Sequence, residues 1–166
     1  MMSDEETNMQ YLMTANIQDG IIEETLPYLI NIEERYEKYC IKNHNLILSK
    51  NGAPYKIAVA NIKKDQKILA NGNLYIIEID EEKANPYYIK AFFESETGIA
   101  ALKSITVGST ILSISVDKLK KLQIPLPLLD EQNKIAENYQ AIQAEIIELK
   151  ARLKSAVESL KTVFTY

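Results

Sequence analysis

The chain is poor in the residues that carry most metal and thiol chemistry. Its 166 residues include one cysteine, Cys40, one histidine, His44, and no tryptophan. A single thiol excludes an internal disulfide and a cysteine-based zinc site. No apolar run approaches the roughly 20 residues that a membrane span needs. Residues 1–10 are polar and acidic and lack the apolar segment of a secretory signal, so we expect a cytoplasmic protein.

The motifs of common enzyme classes are absent as well. The sequence has no glycine-rich phosphate loop and no methyltransferase cofactor motif. His44 stands in the polar run Lys-Asn-His-Asn, which favours a surface turn, and the strand pattern that follows argues against a helical Cys40–His44 nucleophile pair. Acidic neighbours such as Glu23-Glu24 are typical of solvated faces. We expect no catalytic residue, no metal and no cofactor in this chain.

Lysines are concentrated in one stretch of an otherwise acidic chain. The net charge of −4 by itself argues against binding to nucleic acid, because phosphate neutralisation needs Lys and Arg. Residues 41–67, however, carry six lysines and one acid, whereas residues 1–40 carry nine acids and two basic residues. The stretch is either a solvated lysine-rich hairpin or a surface that contacts phosphates.

Short strands joined by turns are predicted for the first half of the chain. We expect residues 1–10 to be frayed. The apolar run Leu46–Ser49 and its return, Lys56–Ala60, predict a hairpin around Asn51-Gly52, two residues that tolerate positive φ. After a second turn at Asn71-Gly72, residues Leu74–Ile79 predict a central strand. An earlier turn is expected at Asp19-Gly20.

Helices become more frequent after residue 84. Asn85 as N-cap and Pro86 at the first helical position predict a helix that ends or kinks at Thr97-Gly98. Residues 105–114 predict two strand-like flanks around a loop, Gly108-Ser109-Thr110, and Ser115 can cap a short helix. Asp130 is the expected N-cap of the last helix, which contains neither Gly nor Pro.

The last helix carries an unbroken apolar heptad. Its apolar residues recur at alternating spacings of four and three, which is the a/d pattern of a coiled coil: Ile135, Tyr139, Ile142, Ile146, Leu149, Leu153, Ala156, Leu160 and Val163. At about 1.5 Å per residue this seam is roughly 43 Å long, too long to be covered by a small domain. The alternative is a core helix packed on its own domain. We predict a homodimer, or pairing with a homologous helix.

Several motifs occur in a fixed order along the chain. They are Leu46–Ala60, Asn71–Ile77, Asn85–Tyr88, Gly108–Thr110 ahead of Ile114-Ser115, and the run LQIPLPLLDEQNKI at residues 122–135. Together they resemble the specificity subunits of type I restriction-modification systems, and the similarity extends from about residue 12 to the C-terminus. The last run resembles the junction between a target-recognition domain and its spacer helix.

The resemblance implies a fold for this chain and assigns recognition, methylation and cleavage to separate subunits. It implies an α/β (α+β) target-recognition domain with mixed strands and short helices, at residues 1–129, followed by a coiled-coil spacer and dimerisation helix at residues 130–166. Loops of the domain would read double-stranded DNA, and two helices would pair antiparallel. Adenine methylation and cleavage would belong to separate modification and restriction subunits, with S-adenosylmethionine on the modification subunit.

Two departures from the family pattern bear on function. Family members usually carry two recognition domains and two spacer helices, so this chain resembles a half-subunit, and it lacks the usual tryptophan-containing opening segment. The first hypothesis is therefore a non-catalytic DNA-reading subunit. The second is a truncated docking module that pairs with a full-length specificity subunit without reading DNA. The third is the recognition end of a fused methyltransferase-nuclease.

Candidate DNA-binding residues follow from the hairpin and turns. Asparagine can pair with adenine, and lysine can reach guanine or phosphate. The candidates are Ser49, Lys50, Asn51, Gly52, Tyr55, Lys56, Lys63, Lys64, Asn71, Asn73, Lys103, Ser104, Ser109 and Thr110. The alternative for each of them is an ordinary turn residue.

Overall fold

Eleven short strands precede one long helix in the part of the chain that the structure describes. The computed structural model describes residues 2–3, 7–30 and 32–163. The strands are β1 (Met2–Ser3), β2 (Gln10–Leu12), β3 (Ile17–Gln18), β4 (Ile21–Ile22), β5 (Tyr28–Leu29), β6 (Leu46–Ser49), β7 (Ile57–Val59), β8 (Ile68–Ala70), β9 (Leu74–Ile77), β10 (Thr106–Val107) and β11 (Ser113–Ile114). The α-helices are α1 (Pro86–Glu94), α2 (Glu96–Ser104), α3 (Val116–Leu119) and α4 (Leu129–Thr162), and 3₁₀ turns cover Thr14–Asn16 and Glu34–Tyr39.

The sheet β7-β6-β9 separates two apolar cores. All residues of β6 and β7 are buried, because alternate side chains of a strand point to opposite faces and both faces are covered. Leu46 and Leu48 pack with Ile89 and Phe93 of α1, whereas Ile47 packs with the core beneath the four-stranded sheet β1-β5-β2-β8. In that sheet β2 runs parallel to β8, while β1–β5 and β2–β5 are antiparallel.

Local capping signals fix α1 and α3. The Asn85 side chain accepts hydrogen bonds from Tyr87 N and Tyr88 N at 2.8 and 3.3 Å, and Pro86 follows it in the first turn. The Ser115 Oγ accepts from Lys118 N at the start of α3. The predicted helix starts at Asn85 and Ser115 are confirmed, as are the two strands that flank the Gly108 loop.

The structure departs from three of the sequence predictions. Residues 1–10 are not frayed where the structure describes them: Met2–Ser3 pairs with β5, and Gln10 begins β2, while residues 1 and 4–6 lie outside the described residues. The predicted hairpin is confirmed, since β6 and β7 are antiparallel neighbours, and the connection around Asn51-Gly52 is a seven-residue loop between Ser49 and Ile57. The predicted central strand, β9, lies at an edge, since β6 occupies the middle. The last helix begins at Leu129 with Leu128 as a cap that makes no side-chain bond, so Asp130 lies in its first turn.

The helix was predicted to end or kink at Thr97-Gly98, whereas the break lies at Ser95 and Gly98 is inside the next helix. The first helix ends at Ser95, whose Oγ caps the start of α2 by accepting from Gly98 N. A Cβ on Gly98 would lie 1.9 Å from the Phe92 carbonyl oxygen. Glycine is therefore required here because the two helices meet at a sharp corner where only a hydrogen atom fits.

The helix α4 has 34 residues, of which only Gln132 and Ala136 are buried. Gln132 Oε1 accepts from Asn85 N at 3.0 Å, and its Nε2 donates to the carbonyls of Lys83 and Pro127. Every residue from 151 to 163 is exposed, so the last third of α4 projects into solvent. Among the described residues no helix is both long and apolar enough to cross a bilayer.

Candidate nucleic-acid interface and helix seam

Three segments that are distant in sequence meet at one end of the sheet β7-β6-β9. Lys50 N donates to Asn73 O at 2.8 Å, and Ile114 N donates to Lys50 O at 2.8 Å. Asn51 forms an isolated β-bridge with Ser113. These bonds join the β6–β7 loop to the turn before β9 and to the β10–β11 loop. We call residues 49–56, 70–75 and 105–115 together the tip surface.

The tip surface contains no carboxylate. None of its three segments includes Asp or Glu, although the chain has 23 acidic residues, and the segments include Lys50 and Lys56. Its exposed side chains are amides, hydroxyls and apolar groups, from Asn51, Asn73, Ser109, Thr110, Ile111 and Leu112. Such a surface can approach a polyanion without like-charge repulsion at short range.

Some predicted binding residues hold the tip surface together from inside. Ser49 is 1% exposed, and its Oγ accepts from Lys56 N at 2.9 Å, so it positions the loop from beneath the surface. The Tyr55 hydroxyl lies 2.7 Å from Thr106 Oγ1. Lys56 Nζ donates to Thr14 O at 3.1 Å. Lys50 is half-buried, with its Nζ 4.9 Å from the centroid of the Tyr75 ring, a cation–π contact that directs this ammonium group.

The other predicted binding residues fall into three places. The Asn71 Oδ1 accepts from Asn73 N at 3.0 Å, which shapes the turn before β9. Lys103 and Ser104 are exposed at the end of α2, just before the tip surface. Lys63 and Lys64 are exposed beyond the far end of β7. The structure therefore brings Lys50, Asn51, Gly52, Asn73, Ser109 and Thr110 together, and leaves Lys63 and Lys64 at the opposite end of the sheet.

Sequence reasoning did not single out Ile111 and Leu112. Ile111 is 69% exposed, and the Leu112 carbonyl accepts from Gly52 N. Two exposed apolar side chains beside Asn51 give the tip surface groups that can contact a thymine methyl. The sequence feature that could have identified them is their position directly after the Gly108-Ser109-Thr110 loop.

The predicted helix seam is open except at Tyr139. Tyr139 is half-buried, and the eight other predicted seam residues are exposed: Ile135, Ile142, Ile146, Leu149, Leu153, Ala156, Leu160 and Val163. Exposure rises toward the C-terminus, from 45% at Ile135 to 71% at Leu160. A continuous exposed apolar stripe of this size is typical of an interaction site.

A different face of α4 packs on the rest of the chain. Gln132 and Ala136 are buried, Ile147 is half-buried, and Gln143 Nε2 donates to Asp19 O at 3.1 Å. These positions lie about a quarter turn around the helix from the seam. The helix is therefore attached mainly through this face, and its apolar seam stays free except at Tyr139, whose hydroxyl donates to Glu94.

His44 and Cys40, which were considered as a possible catalytic pair, have surroundings that do not activate either side chain. His44 has positive φ and its Nδ1 lies 2.9 Å from Glu81 Oε2 in an exposed pair. Burial, together with the nearby Glu37, raises the pKa of the Cys40 thiol, which is the opposite of an activated thiolate. No cluster of metal-ligating side chains occurs within residues 2–3, 7–30 and 32–163.

A family model described as "Type I restriction modification DNA specificity domain" matches residues 4–159. The match covers nearly the whole chain, including the tip surface and the seam as far as Ala156. The chain belongs to this family. The resemblance drawn from its motifs is thereby confirmed, and so is the mixed α/β fold with a long C-terminal helix.

Curated relatives and solved structures agree with this assignment. The specificity domain is 31% identical over 103 residues to the type I restriction enzyme EcoBI specificity subunit of Escherichia coli, covering 61% of this chain and 21% of that protein. It is 32% identical over 81 residues to the StySPI specificity subunit of Salmonella potsdam, covering 49% and 18%. The chain thus matches about a fifth of the length of these relatives.

Two solved structures share the fold of the specificity domain. The HsdS subunit from Thermoanaerobacter tengcongensis has a TM-score of 0.65 at 20% identity, covering 91% of this chain and 40% of that one. A chain from a study of complex assembly and conformational transition of the type I R-M system has a TM-score of 0.64 at 18% identity, covering 98% and 37%.

Proposed function

We propose that this chain is a non-catalytic DNA-recognition subunit that directs adenine methylation by a partner modification subunit of a type I restriction-modification complex. S-adenosylmethionine would be held by that partner, and a restriction subunit can join the same complex. Residues 1–129 would form the recognition domain and residues 130–166 the spacer helix. The observation that carries the proposal is the tip surface, which is free of carboxylates in an acidic chain.

The tip surface offers separate groups for positioning and for reading. Lysine and exposed backbone amides contact phosphates without regard to sequence, whereas amides and hydroxyls read base edges. Asn51 and Asn73 are exposed on neighbouring segments, and an asparagine can pair with adenine N6 and N7 in the major groove. With only Lys50, Lys56 and the nearby Lys103 as positive charges, binding by the chain alone should be weak and should need the partner for further phosphate contacts.

The open seam supports a homodimer in which two copies of α4 pair antiparallel. One antiparallel alignment places Tyr139 opposite the partner's Ala156 and Ile146 opposite the partner's Leu149, so the largest seam residue meets the smallest. The same alignment brings Glu145 beside the partner's Arg152, twice by symmetry. A parallel alignment would instead place Tyr139 against the partner's Tyr139, and Ala156 against the partner's Ala156, which gives one wide layer and one empty layer.

A twofold dimer has consequences for the target. Identical readers at opposite ends of a coiled coil predict a bipartite palindromic site with an uncontacted spacer. The seam also supports the second hypothesis, a docking module that pairs with a full-length specificity subunit, because the same apolar face would be used. The two hypotheses differ in whether the tip surface governs which DNA is methylated.

Methylation by the reconstituted complex separates them. In the presence of the modification subunit, Lys50→Ala/Asn51→Ala should lower methylation of the target relative to unrelated DNA by about tenfold to a hundredfold, the effect of losing a base contact worth 1–3 kcal/mol. The matched control is Lys42→Ala/Asn43→Ala, an exposed lysine and asparagine at the opposite end of β6. If the tip variant keeps the target preference of the native chain, the tip surface is not the reader and the docking hypothesis stands.

A further inference from the structure

The turn between β3 and β4 reaches the middle of α4. Asp19 and Gly20 have φ of 50° and 73°, as expected for a two-residue hairpin turn of type I′. The Asp19 carbonyl accepts from Gln143 Nε2 at 3.1 Å, and its carboxylate pairs with Lys150 Nζ. These contacts join residues more than 120 positions apart in the sequence, and Lys150 lies about two helical turns beyond Gln143 on α4.

A buried lysine lies directly beneath this turn. Lys90 of α1 is 1% exposed, its Nζ is 3.8 Å from Glu94 Oε1 and 5.0 Å from the Tyr139 ring centroid, and Tyr139 donates its hydroxyl to Glu94. A Cβ on Gly20 would lie 2.7 Å from Lys90 Nζ and 2.8 Å from Gln143 Nε2. Glycine thus lets the turn close onto α1 and α4 at once. We call Asp19, Gly20, Lys90, Glu94, Tyr139, Gln143 and Lys150 the turn clasp.

The helix is attached to the rest of the chain at two places. The first is the buried pair Gln132 and Ala136, and the second is the turn clasp, which extends from Tyr139 to Lys150. Within the clasp, α4 borders a cavity of about 370 Å³, lined on the helix side by Gln140, Gln143, Ala144 and Ile147. Attachment at Gln132 and Ala136 alone would let the helix pivot, whereas contacts spread over about 27 Å of the axis, from Gln132 to Lys150, define its direction.

We propose that the turn clasp is a positioning device that fixes the angle between the tip surface and α4. Its residues lie outside the tip surface, and Tyr139 is the clasp residue that also belongs to the seam. Together they set how the reader is aimed relative to α4. The consequence for DNA rests on the proposed function: in a dimer of two readers, this angle selects the spacing of half-sites that both tips can reach together. Gln143 and Lys150 are then specificity-determining residues that contact no base.

Distance measurements between two spin labels test the clasp directly. Labels are attached at Glu96→Cys and Ser155→Cys, both exposed sites, in a Cys40→Ser background, and the labelled chain is mixed with an excess of unlabelled chain to exclude distances between copies. The clasp variant is Gln143→Ala/Lys150→Ala. Asn138→Ala/Lys154→Ala, an exposed amide and lysine on the same helix, is the matched control.

The two variants should differ clearly. With the clasp open, a swing of about 10° around Ala136 moves the label at position 155 by roughly 5 Å, so the distance distribution should shift or broaden by that amount. The control should match the native chain. Identical distributions for the clasp variant and the native chain would overturn the proposal, whatever the outcome of DNA experiments.

Spacing selectivity gives a second readout that a purely structural role would not move. Once the methylated adenines are mapped, DNAs with half-sites one base pair closer or further apart are offered to the complex. The clasp variant should lose most of the preference for the native spacing while keeping the base preference in each half-site. Retained spacing preference alongside a broadened distance distribution would refute the role of the clasp in specificity. A native complex that methylates no specific sequence would refute the proposed function instead, and the label distances would still decide the clasp.

Discussion

Replacing Leu149 by aspartate is the sharpest test of pairing through the seam. Leu149 is 52% exposed, and full burial of a leucine is worth about 1.5–3 kcal/mol, so pairing gains about 1 kcal/mol at this site in each copy. Leu149→Asp removes that gain twice and places two carboxylates in the closed seam, each with a desolvation penalty of several kcal/mol. A total of at least about 4 kcal/mol weakens the dimer roughly a thousandfold.

Light scattering coupled to gel filtration measures this loss over a range of concentrations. The native chain should have the mass of a dimer and Leu149→Asp that of a monomer. Thermal unfolding of the N-terminal part of the chain, followed by circular dichroism, should be unchanged. Leu153→Asp should behave in the same way. Ala141→Asp adds the same charge to an exposed position away from the seam and should remain dimeric. A dimeric Leu149→Asp chain, or a native chain that is monomeric at all concentrations, would refute the reasoning.

Three further predictions concern the helix flank, the helix corner and the buried lysine. Glu145→Arg should weaken the dimer by about 0.5–1 kcal/mol through two repulsive pairs with Arg152. If the chains are antiparallel, adding Arg152→Glu should restore the dimer affinity measured by sedimentation equilibrium. No recovery in the double variant would contradict the antiparallel pairing. Gly98→Ala should lower the unfolding free energy by about 3 kcal/mol or more because its Cβ meets backbone, whereas Gly72→Ala, with open space around it, should change urea midpoints little. Burial lowers the pKa of Lys90 below 10.5, against the opposing effect of Glu94. Just below that pH the folded chain therefore binds fewer protons than the unfolded chain, and the free energy of unfolding should rise with pH. In Lys90→Met this rise should vanish, and urea titrations up to pH 10 that show the same slope for both chains would contradict the prediction.

Local chemistry made part of the fold predictable. The Asn85 cap and the following proline act within four residues, so the sequence alone located the start of α1. The heptad of α4 predicted a seam that stays exposed, because its period depends only on the helix itself. By contrast, α2 was not predicted because a glycine such as Gly98 is typical of a helix end. Here Gly98 leaves room for the Phe92 carbonyl at the corner between α1 and α2, a contact that the local sequence does not contain.

The turns show where local signals become ambiguous. Asn51-Gly52 and Asp19-Gly20 have similar turn chemistry, and the sequence predicts a turn at both, with Asn51-Gly52 as the stronger signal. In the structure Asn51 bridges to Ser113, which opens the loop, while Asp19-Gly20 forms the two-residue turn. A contact between residues 62 positions apart decides this, and no local pattern contains it.

The sequence predicted which types of residue form the candidate site, but it did not predict which segments come together there. The lysine-rich stretch of residues 41–67 was taken as one surface, but β7 carries the chain across the sheet, so Lys50 and Lys63 lie at opposite ends. The tip surface instead gains Asn73 and the β10–β11 loop through backbone bonds to Lys50. The DNA contacts themselves stay predictions.

The absence of acids from the tip surface also bears on how a duplex would be met in solution. The opposite end of the sheet carries Glu78, Asp80, Glu81 and Glu82 in one short turn, but Lys42 pairs with Glu78, Lys83 pairs with Asp80, and Lys63 and Lys64 are exposed at the same end. Charges there nearly balance, whereas the charged side chains of the tip surface are lysines alone. Because so few charges take part, encounter rates of the isolated chain with DNA should depend less steeply on ionic strength than those of a uniformly basic reader.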